Sequence, residues 1–323
     1  MTFVNTGQTT ARPPTRQWVW LGGSILLAVL AYLAVVLWVG WAEVSRAILQ
    51  VGAGGLLLAA LMSCCNFGLR YLRWRRYLAH FQHRLPWLDG GLAYMAGFAL
   101  TTTPLRAGET LRGLLLARFG VRFGQTVAIF VSERLADLMV VIALVSLGLA
   151  QFPQARPIVA LCALLVAGVL ISLLWPYWLQ QLARRWAQGR IGRWLAHGVR
   201  LLQDARHCHG RGLLALSLLI GLLAWSVEGI AFQSILGGMG VSLSFTTVLL
   251  VYMIGKLAGV LSFAPGGLGG TEAAIALLLI WSGVPPAQAA AATILVRLVT
   301  LWLAVALGCT ALALSLWREK QTS

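Results

Sequence analysis

A chain of 323 residues that is 59% hydrophobic and 11% charged, with a mean hydropathy of +0.82, is not a soluble domain. In a soluble protein its net charge of +16 would point to nucleic acid. In a chain this apolar the charge is assigned instead to membrane-flanking loops, with anionic lipid headgroups rather than nucleic acid as the natural partner.

In chain order, residues 1–17 read as a polar tail. Apolar runs follow at 19–38, 54–72, 127–150, 158–175, 213–236 and 289–316. About 20 apolar residues suffice to cross a bilayer as a helix. The first run is longer than a signal-peptide core and no small-residue cleavage site follows it, so it is expected to be retained. Two further apolar stretches, 91–119 and 245–282, are interrupted in the middle. The longest polar segment, 177–212, is too short for a separate catalytic domain, and 318–323 read as a short tail. Residues 18–317 are thus expected to form one transmembrane domain.

Arginine placement orients the runs. Arg12, Arg16, Arg70, Arg73, Arg75, Arg76, Arg84, Arg118, Arg122, seven arginines between 184 and 211, Arg318 and Lys320 all fall on one side if both termini are cytoplasmic. Only Arg46 and Arg156 fall on the other, the asymmetry expected of a cytoplasmic membrane. Each interrupted stretch must then leave and return on the same face. The expected fold is an all-α polytopic membrane protein with six full transmembrane helices plus two re-entrant helical hairpins. Residues 271–282 would make a helix of only ~18 Å, short of a ~30 Å hydrocarbon core. Residues 245–263 alone are long enough to span, which leaves an eight-helix count open.

The interruptions are chemically alike. Pro104 and Gly108 break the first, and Pro265, Gly266, Gly267, Gly269 and Gly270 break the second. Irregular backbone at membrane depth survives only when buried in protein or lining a wet cavity. Both are therefore read as hairpin tips inside the protein. Tyr94-Met95 with Gly97 matches Tyr252-Met253 with Gly255. From Glu109 and Glu272 onward the register is gap-free, with eleven identities in thirty across 109–138 and 272–301. Gly120-Val121 matches Gly283-Val284, Gln125 matches Gln288, and Arg134 matches Arg297. One copy, about 91–150, starts from the cytoplasm and the other, about 245–316, from outside. That is an inverted-topology repeat, an architecture of transporters that bind substrate near the midplane.

Ionisable groups within the spans are costly and either pair or face a cavity. They are Arg106, Glu109, Arg112, Glu133, Arg134, Asp137, Glu228, Lys256, Glu272 and Arg297, five basic and five acidic. Glu133 and Asp137 share a helix face, with Arg134 three residues from Asp137. Glu109 and Glu272 begin the returning half-helices, where a carboxylate can cap free backbone N–H groups. The basic groups fit a phosphate, which arginine binds bidentately and which half-helix N-termini also favour. Glu228 either answers Lys256 or carries a coupling ion or proton. The cysteines of the apolar runs, Cys64, Cys65, Cys162 and Cys309, are expected as buried small side chains. His207-Cys208-His209 lacks partners at ligand spacing, so no metal is expected. No Gly-rich loop with a phosphate-binding lysine is present, so neither ATP hydrolysis nor a cofactor is expected.

"RAGETLR" (106–112), "SERLADL" (132–138) and "PGGLGGTE" (265–272) resemble the motifs of the lysylphosphatidylglycerol synthase transmembrane-domain family, the flippase-like membrane proteins. The resemblance covers nearly the whole chain after its tail. It implies a protein of a bacterial or archaeal cytoplasmic membrane that moves lipids or lipid-linked intermediates between leaflets. Arg106, Glu109, Arg112, Glu133, Arg134, Asp137 and Glu272 carry over as the anionic site; Lys256 and Arg297 come from the repeat. In bifunctional members the module precedes an aminoacyl-transferase domain. This sequence resembles stand-alone members, so lysine transfer is not carried over. The expected function is a non-enzymatic lipid translocase for an anionic phospholipid or lipid-linked phosphate. A scaffold for a lipid-modifying synthase, and less so an intramembrane lipid-phosphate enzyme, stand as alternatives. A second copy of the chain is a further partner left open.

Overall fold

The computed structural model describes residues 40–102, 108–147, 156–174 and 210–322, with single positions at 23, 26, 29, 30, 32, 33, 37, 177, 181 and 208. Every regular element among the described residues is helical. They are α1 (Trp41–His80), α2 (Trp87–Ala96), α3 (Gly108–Ala117), α4 (Phe123–Leu147), α5 (Arg156–Leu174), α6 (Arg211–Gly238), α7 (Phe245–Leu261), α8 (Gly270–Trp281), α9 (Pro286–Arg297) and α10 (Leu303–Thr322). A 3₁₀ turn, Gly97–Leu100, continues α2, and another, Pro265–Gly267, lies between α7 and α8. A π-helical turn, Leu298–Trp302, joins α9 to α10.

Three of these stretches are long and apolar enough to cross a membrane: Trp41–His80, Gly212–Gly238 and Pro286–Arg318. The expected run 19–38 falls almost wholly outside the described residues. The expected run 54–72 is only the middle of α1, which starts earlier, breaks at Gly52 (φ 66°, ψ 170°) and stays helical to His80. Its last two turns continue because they still bury a face: Trp74, Tyr77 and Leu78 are in the core. Helix α4 is 25 residues long, yet Glu133, Arg134 and Asp137 interrupt its apolar surface.

The second interrupted stretch folds as a helix–break–helix unit; the first has a helix on either side of residues 103–107, which lie outside the described residues. Helix α3 has 10 residues and α8 has 12, so at 1.5 Å per residue they measure about 15 and 18 Å. Each returning helix ends the same way. Gly120 and Gly283 turn left-handed, at φ 76° and 89°. The N–H of Val121 then bonds Leu116 C=O at 3.4 Å, and that of Val284 bonds Leu279 C=O at 3.0 Å. This 6→1 closure needs a residue at positive φ, which glycine adopts without strain, and places the following valine back on the helix. The shared Gly-Val pair therefore has a physical cause. Gly97 and Gly255 also match: the space beside Gly97 is filled by the Arg112 guanidinium, and that beside Gly255 by Ile275, the residue at the corresponding position.

The two units exchange partners. Helix α10, which follows the second unit, packs on α2 and its 3₁₀ turn; α4, which follows the first, packs on α7. Helices α1 and α6 form the largest interface alongside them. The main core draws on α1, α4, α6, α7, α8 and α9, with Phe232, Tyr252, Met253, Leu257 and Leu295 fully covered. Three cysteines depart from expectation: Cys64, Cys65 and Cys309 lie on the outer surface of their helices, Cys208 is buried, and the side chain of Cys162 lies outside the described residues. In a chain surrounded by lipid, a small apolar side chain has no need to face inward.

Two substitutions test the second unit. A Cβ at Gly259 would fall on Thr271 Oγ1 and 3.4 Å from Gly267 Cα, so α7 could no longer close on the tip. Gly259→Ala is expected to destabilise by about 1–3 kcal/mol. Gly68→Ala, where α1 has open space, should stabilise by up to about 1 kcal/mol. Thermal unfolding in one detergent reads both, and equal midpoints for the two variants would contradict the close approach. Phe263 sits at φ 52° and is 91% exposed. A left-handed phenylalanine is strained, so Phe263→Gly should raise stability by about 1 kcal/mol in the same measurement.

Candidate functional site

The tips of the two units meet. A Cβ at Gly266 would lie 3.5 Å from Thr102 Cγ2 and 3.6 Å from the Thr101 carbonyl oxygen. Beside this junction is a cavity of about 580 Å³. Gly97, Leu100 and Thr101 from the first tip and Phe263, Pro265, Gly266 and Gly267 from the second line it. Among the described residues, five cationic side chains reach it: Arg70, Arg112, Arg134, Lys256 and Arg297. Asp137 and Glu228 are, among the described residues, the acidic groups on its wall.

Each cation is held from behind. Arg112 projects from α3 into the gap left by Gly97 and lies 4.5 Å from the Tyr94 ring centre. It donates to Tyr94 C=O at 3.3 Å and to Glu133 Oε2 at 3.5 Å. Arg297 ends α9, where the π-helical turn begins. Its Nε donates to Glu272 Oε1 at 2.6 Å and its Nη2 to Gly266 C=O at 2.7 Å. The second bond satisfies the carbonyl of Gly266, which turns left-handed within the irregular 3₁₀ tip. Lys256 of α7 lies against the rings of Tyr252 and Trp225, at 4.7 and 5.5 Å, with Nζ 3.9 Å from Glu228 Oε2. Asp137 on α4 gathers three guanidinium groups: Arg73 at 2.8 Å, Arg134 at 3.2 Å and Arg70 at 3.3 Å. Arg73 is wholly buried and lies behind the cavity wall.

The cavity is thus a pre-formed basic chamber with aromatic walls (Phe67, Tyr94, Phe98, Phe130 and Trp225). Among the described residues, no three His, Cys, Asp or Glu side chains gather as metal ligands. The chemistry on offer is charge-assisted hydrogen bonding to an anion from several directions.

A sequence model of the lysylphosphatidylglycerol synthase TM region matches residues 23–308. The chain belongs to this family. Among its relatives are two UPF0104 membrane proteins of Methanothermobacter thermautotrophicus. One is 24% identical over 304 residues, covering 87% of this chain and 90% of the relative. The other is 25% identical over 321 residues, covering 89% and 93%. A UPF0104 membrane protein of Pyrococcus horikoshii is 21% identical over 317 residues, covering 88% and 94%. The matches run the length of the domain, so this is a membrane protein of that family.

Of the positions singled out in the sequence, Arg112, Arg134, Asp137, Glu228, Lys256 and Arg297 line the chamber, with the tip residues Pro265, Gly266 and Gly267. Glu133 and Glu272 do not line it; they hold Arg112 and Arg297 in place. Glu272 was a candidate both for capping α8 and for the anionic site. It makes no cap hydrogen bond there and turns to Arg297 instead, because a buried guanidinium is a stronger partner than a half-helix end. Gly269 and Gly270 form the turn into α8 away from the wall, and Gly108 starts α3. Arg106 and Pro104, and the side chain of Glu109, lie outside the described residues. The charge-based topology placed Arg70 and Arg73 in a cytoplasmic flank. They belong to the interior, on the face of α1 that meets Asp137. The signal was their spacing of three from each other and of four from Asn66 to Arg70, which puts all three on one helix face.

Proposed function

We propose that this chain is a lipid translocase that passes an anionic headgroup through the basic chamber while the acyl or prenyl tails stay in lipid. The observation that carries this reading is the junction of two broken-helix tips at a cavity walled by five cationic side chains. Cations in a membrane interior are costly, and a passing anion would give a chamber lined with them a use. The proline and glycines of the second tip would give a headgroup close access to backbone as well as side chains.

The finer architecture goes with it: six full transmembrane helices, two re-entrant hairpins and an inverted repeat, with both termini cytoplasmic. Three features support the repeat. These are the matched Gly-Val closures, the matched contacts of Gly97 and Gly255, and the exchange of following helices between the two units. The short lengths of α3 and α8 support re-entry. An enzyme reading would rest on Glu133 and Asp137 acting together. Both carboxylates are already engaged, Glu133 by Arg112 and Asp137 by three arginines, which favours a non-enzymatic role.

Purified full-length chain in proteoliposomes, loaded with fluorescent phospholipids and assayed by dithionite quenching, tests the proposal. Quenching of the inner-leaflet label should exceed that of empty liposomes and fall in Arg297→Gln. Equal rates with and without protein, for phospholipids and prenyl phosphates alike, would overturn it.

A further inference from the structure

One ion pair in the chamber is looser than the rest. Glu272 holds Arg297 at 2.6 Å and Asp137 holds Arg73 at 2.8 Å. Arg112 donates both to Glu133 and to Tyr94 C=O. Glu228 and Lys256 are 3.9 Å apart, too far for a hydrogen bond. Glu228 Oε2 is buried and has no hydrogen-bond donor among the described residues. The Glu228 side chain is 5% exposed, whereas that of Lys256 is 22% exposed and lines the cavity. An ammonium on a flexible stem can turn its donors to a new partner, which the fixed fork of an arginine does less readily.

An anion entering the chamber therefore meets Lys256 as the cation with the least to give up. A phosphate oxygen that takes the ammonium in a charge-assisted hydrogen bond leaves Glu228 buried, without its counter-charge and beside a new negative charge. Both changes favour the neutral carboxylic acid. The other cations of the wall are already tied elsewhere. Arg70 of α1 faces Glu228 but is bonded to Asp137 of α4 at 3.3 Å. Arg134 of α4 is also on Asp137, at 3.2 Å. Arg297 of α9 stands near Lys256 but is bonded to Glu272 of α8 and to Gly266 C=O. Tyr252 of α7 faces Glu228 as well, and its hydroxyl can donate to either form of the carboxyl group.

We propose that an anionic phosphate group binds this chamber together with one proton, the anion on Lys256 and the proton on Glu228. The carboxylate takes its proton from water in the cavity, and that proton offsets one negative charge of the incoming group. The coupling is reciprocal: protonation of Glu228 releases Lys256 and tightens anion binding by the same factor. For transport this rests on the translocase reading. Lipid and proton would then cross together, and a proton gradient would drive the lipid toward the side to which protons flow. Lipid phosphate and free phosphate share the chemistry, and the test separates them.

The experiment is binding to full-length protein in phosphatidylcholine nanodiscs, in weak buffer with a pH-indicator dye. The probes are dioctanoyl phosphatidylglycerol, whose single charge is unchanged from pH 5 to pH 8, dioctanoyl phosphatidic acid, and dimethyl phosphate as a diester without tails. Tryptophan emission, to which cavity-lining Trp225 contributes, reports binding. Saturating phosphatidylglycerol should draw up to one proton per chain from solution. Its dissociation constant should fall by up to roughly tenfold for each unit drop in pH over the range of uptake. Glu228→Gln imitates the protonated acid. It should bind with no uptake, and at pH 8 as tightly as the unaltered chain does at pH 5. With phosphatidic acid, which exchanges protons itself, the uptake is read as the excess over Glu228→Gln. If that variant does not fold, the pH dependence of phosphatidylglycerol binding to the unaltered chain decides alone. Binding with no proton taken up between pH 5 and pH 8 would overturn the inference, as would uptake undiminished in Glu228→Gln or failure of all three probes to bind. Dimethyl phosphate evoking the same uptake would keep the coupling and remove the lipid. Coupled binding without translocation in proteoliposomes would keep this inference and overturn the translocase; translocation without uptake would do the reverse.

Discussion

Asp137→Asn is expected to be the most damaging single substitution in the chamber. It removes the one anion that three guanidinium groups share, and Arg73 among them is wholly buried with no route to water. Removing one partner of a buried ion pair costs about 3–5 kcal/mol because the other charge stays behind uncompensated. Here more than one charge stays behind. The expected result is a chain that unfolds at markedly lower temperature in detergent and gives little monodisperse protein. Adding Arg73→Met should recover part of the loss, since that removes the stranded charge while keeping a long side chain in its place. An unchanged unfolding midpoint in Asp137→Asn alone would mean that the cluster is not held by this carboxylate.

Arg297→Gln should come next and fail differently. Its guanidinium joins three things: the Glu272 carboxylate, the Gly266 carbonyl and the cavity wall. Loss of the ion pair again strands a buried charge, for about 3–5 kcal/mol, but the Gly266 bond adds a local effect. Residues 263–270 should exchange amide hydrogens much faster, while the ends of α7 and α8 stay protected. Glu272→Gln with Arg297→Gln should restore overall stability and leave the tip exchange fast. If the double variant protects the tip fully, the Gly266 bond is not what orders it.

Much of this arrangement was legible in the sequence, and the reasons differ between parts. The tips were visible because proline and glycine in an apolar setting have few uses other than irregular backbone. The Glu–Arg interval of 25 residues, present from Glu109 to Arg134 and from Glu272 to Arg297, was the trace of a contact; in the second copy that contact is the 2.6 Å pair. Arg70 and Arg73 were hidden because arginines after an apolar run look the same whether they flank a span or continue it. What separates the two cases is burial of the neighbouring Trp74 and Tyr77, a tertiary property. Leaving those two arginines in a loop made the internal charges seem balanced at five against five. Their place in the interior became visible only once α1 was seen to carry them inward.

Gly308 adds a mechanical constraint. A methyl group there would collide with the backbone of Met95, Phe98 and Ala99, so the last helix rests on the first tip main chain to main chain. Such a seam has no side-chain layer to compress or repack, and the two parts travel as one block. Any displacement among the helices must be taken up along other boundaries, where interdigitating side chains can slip from one arrangement to another.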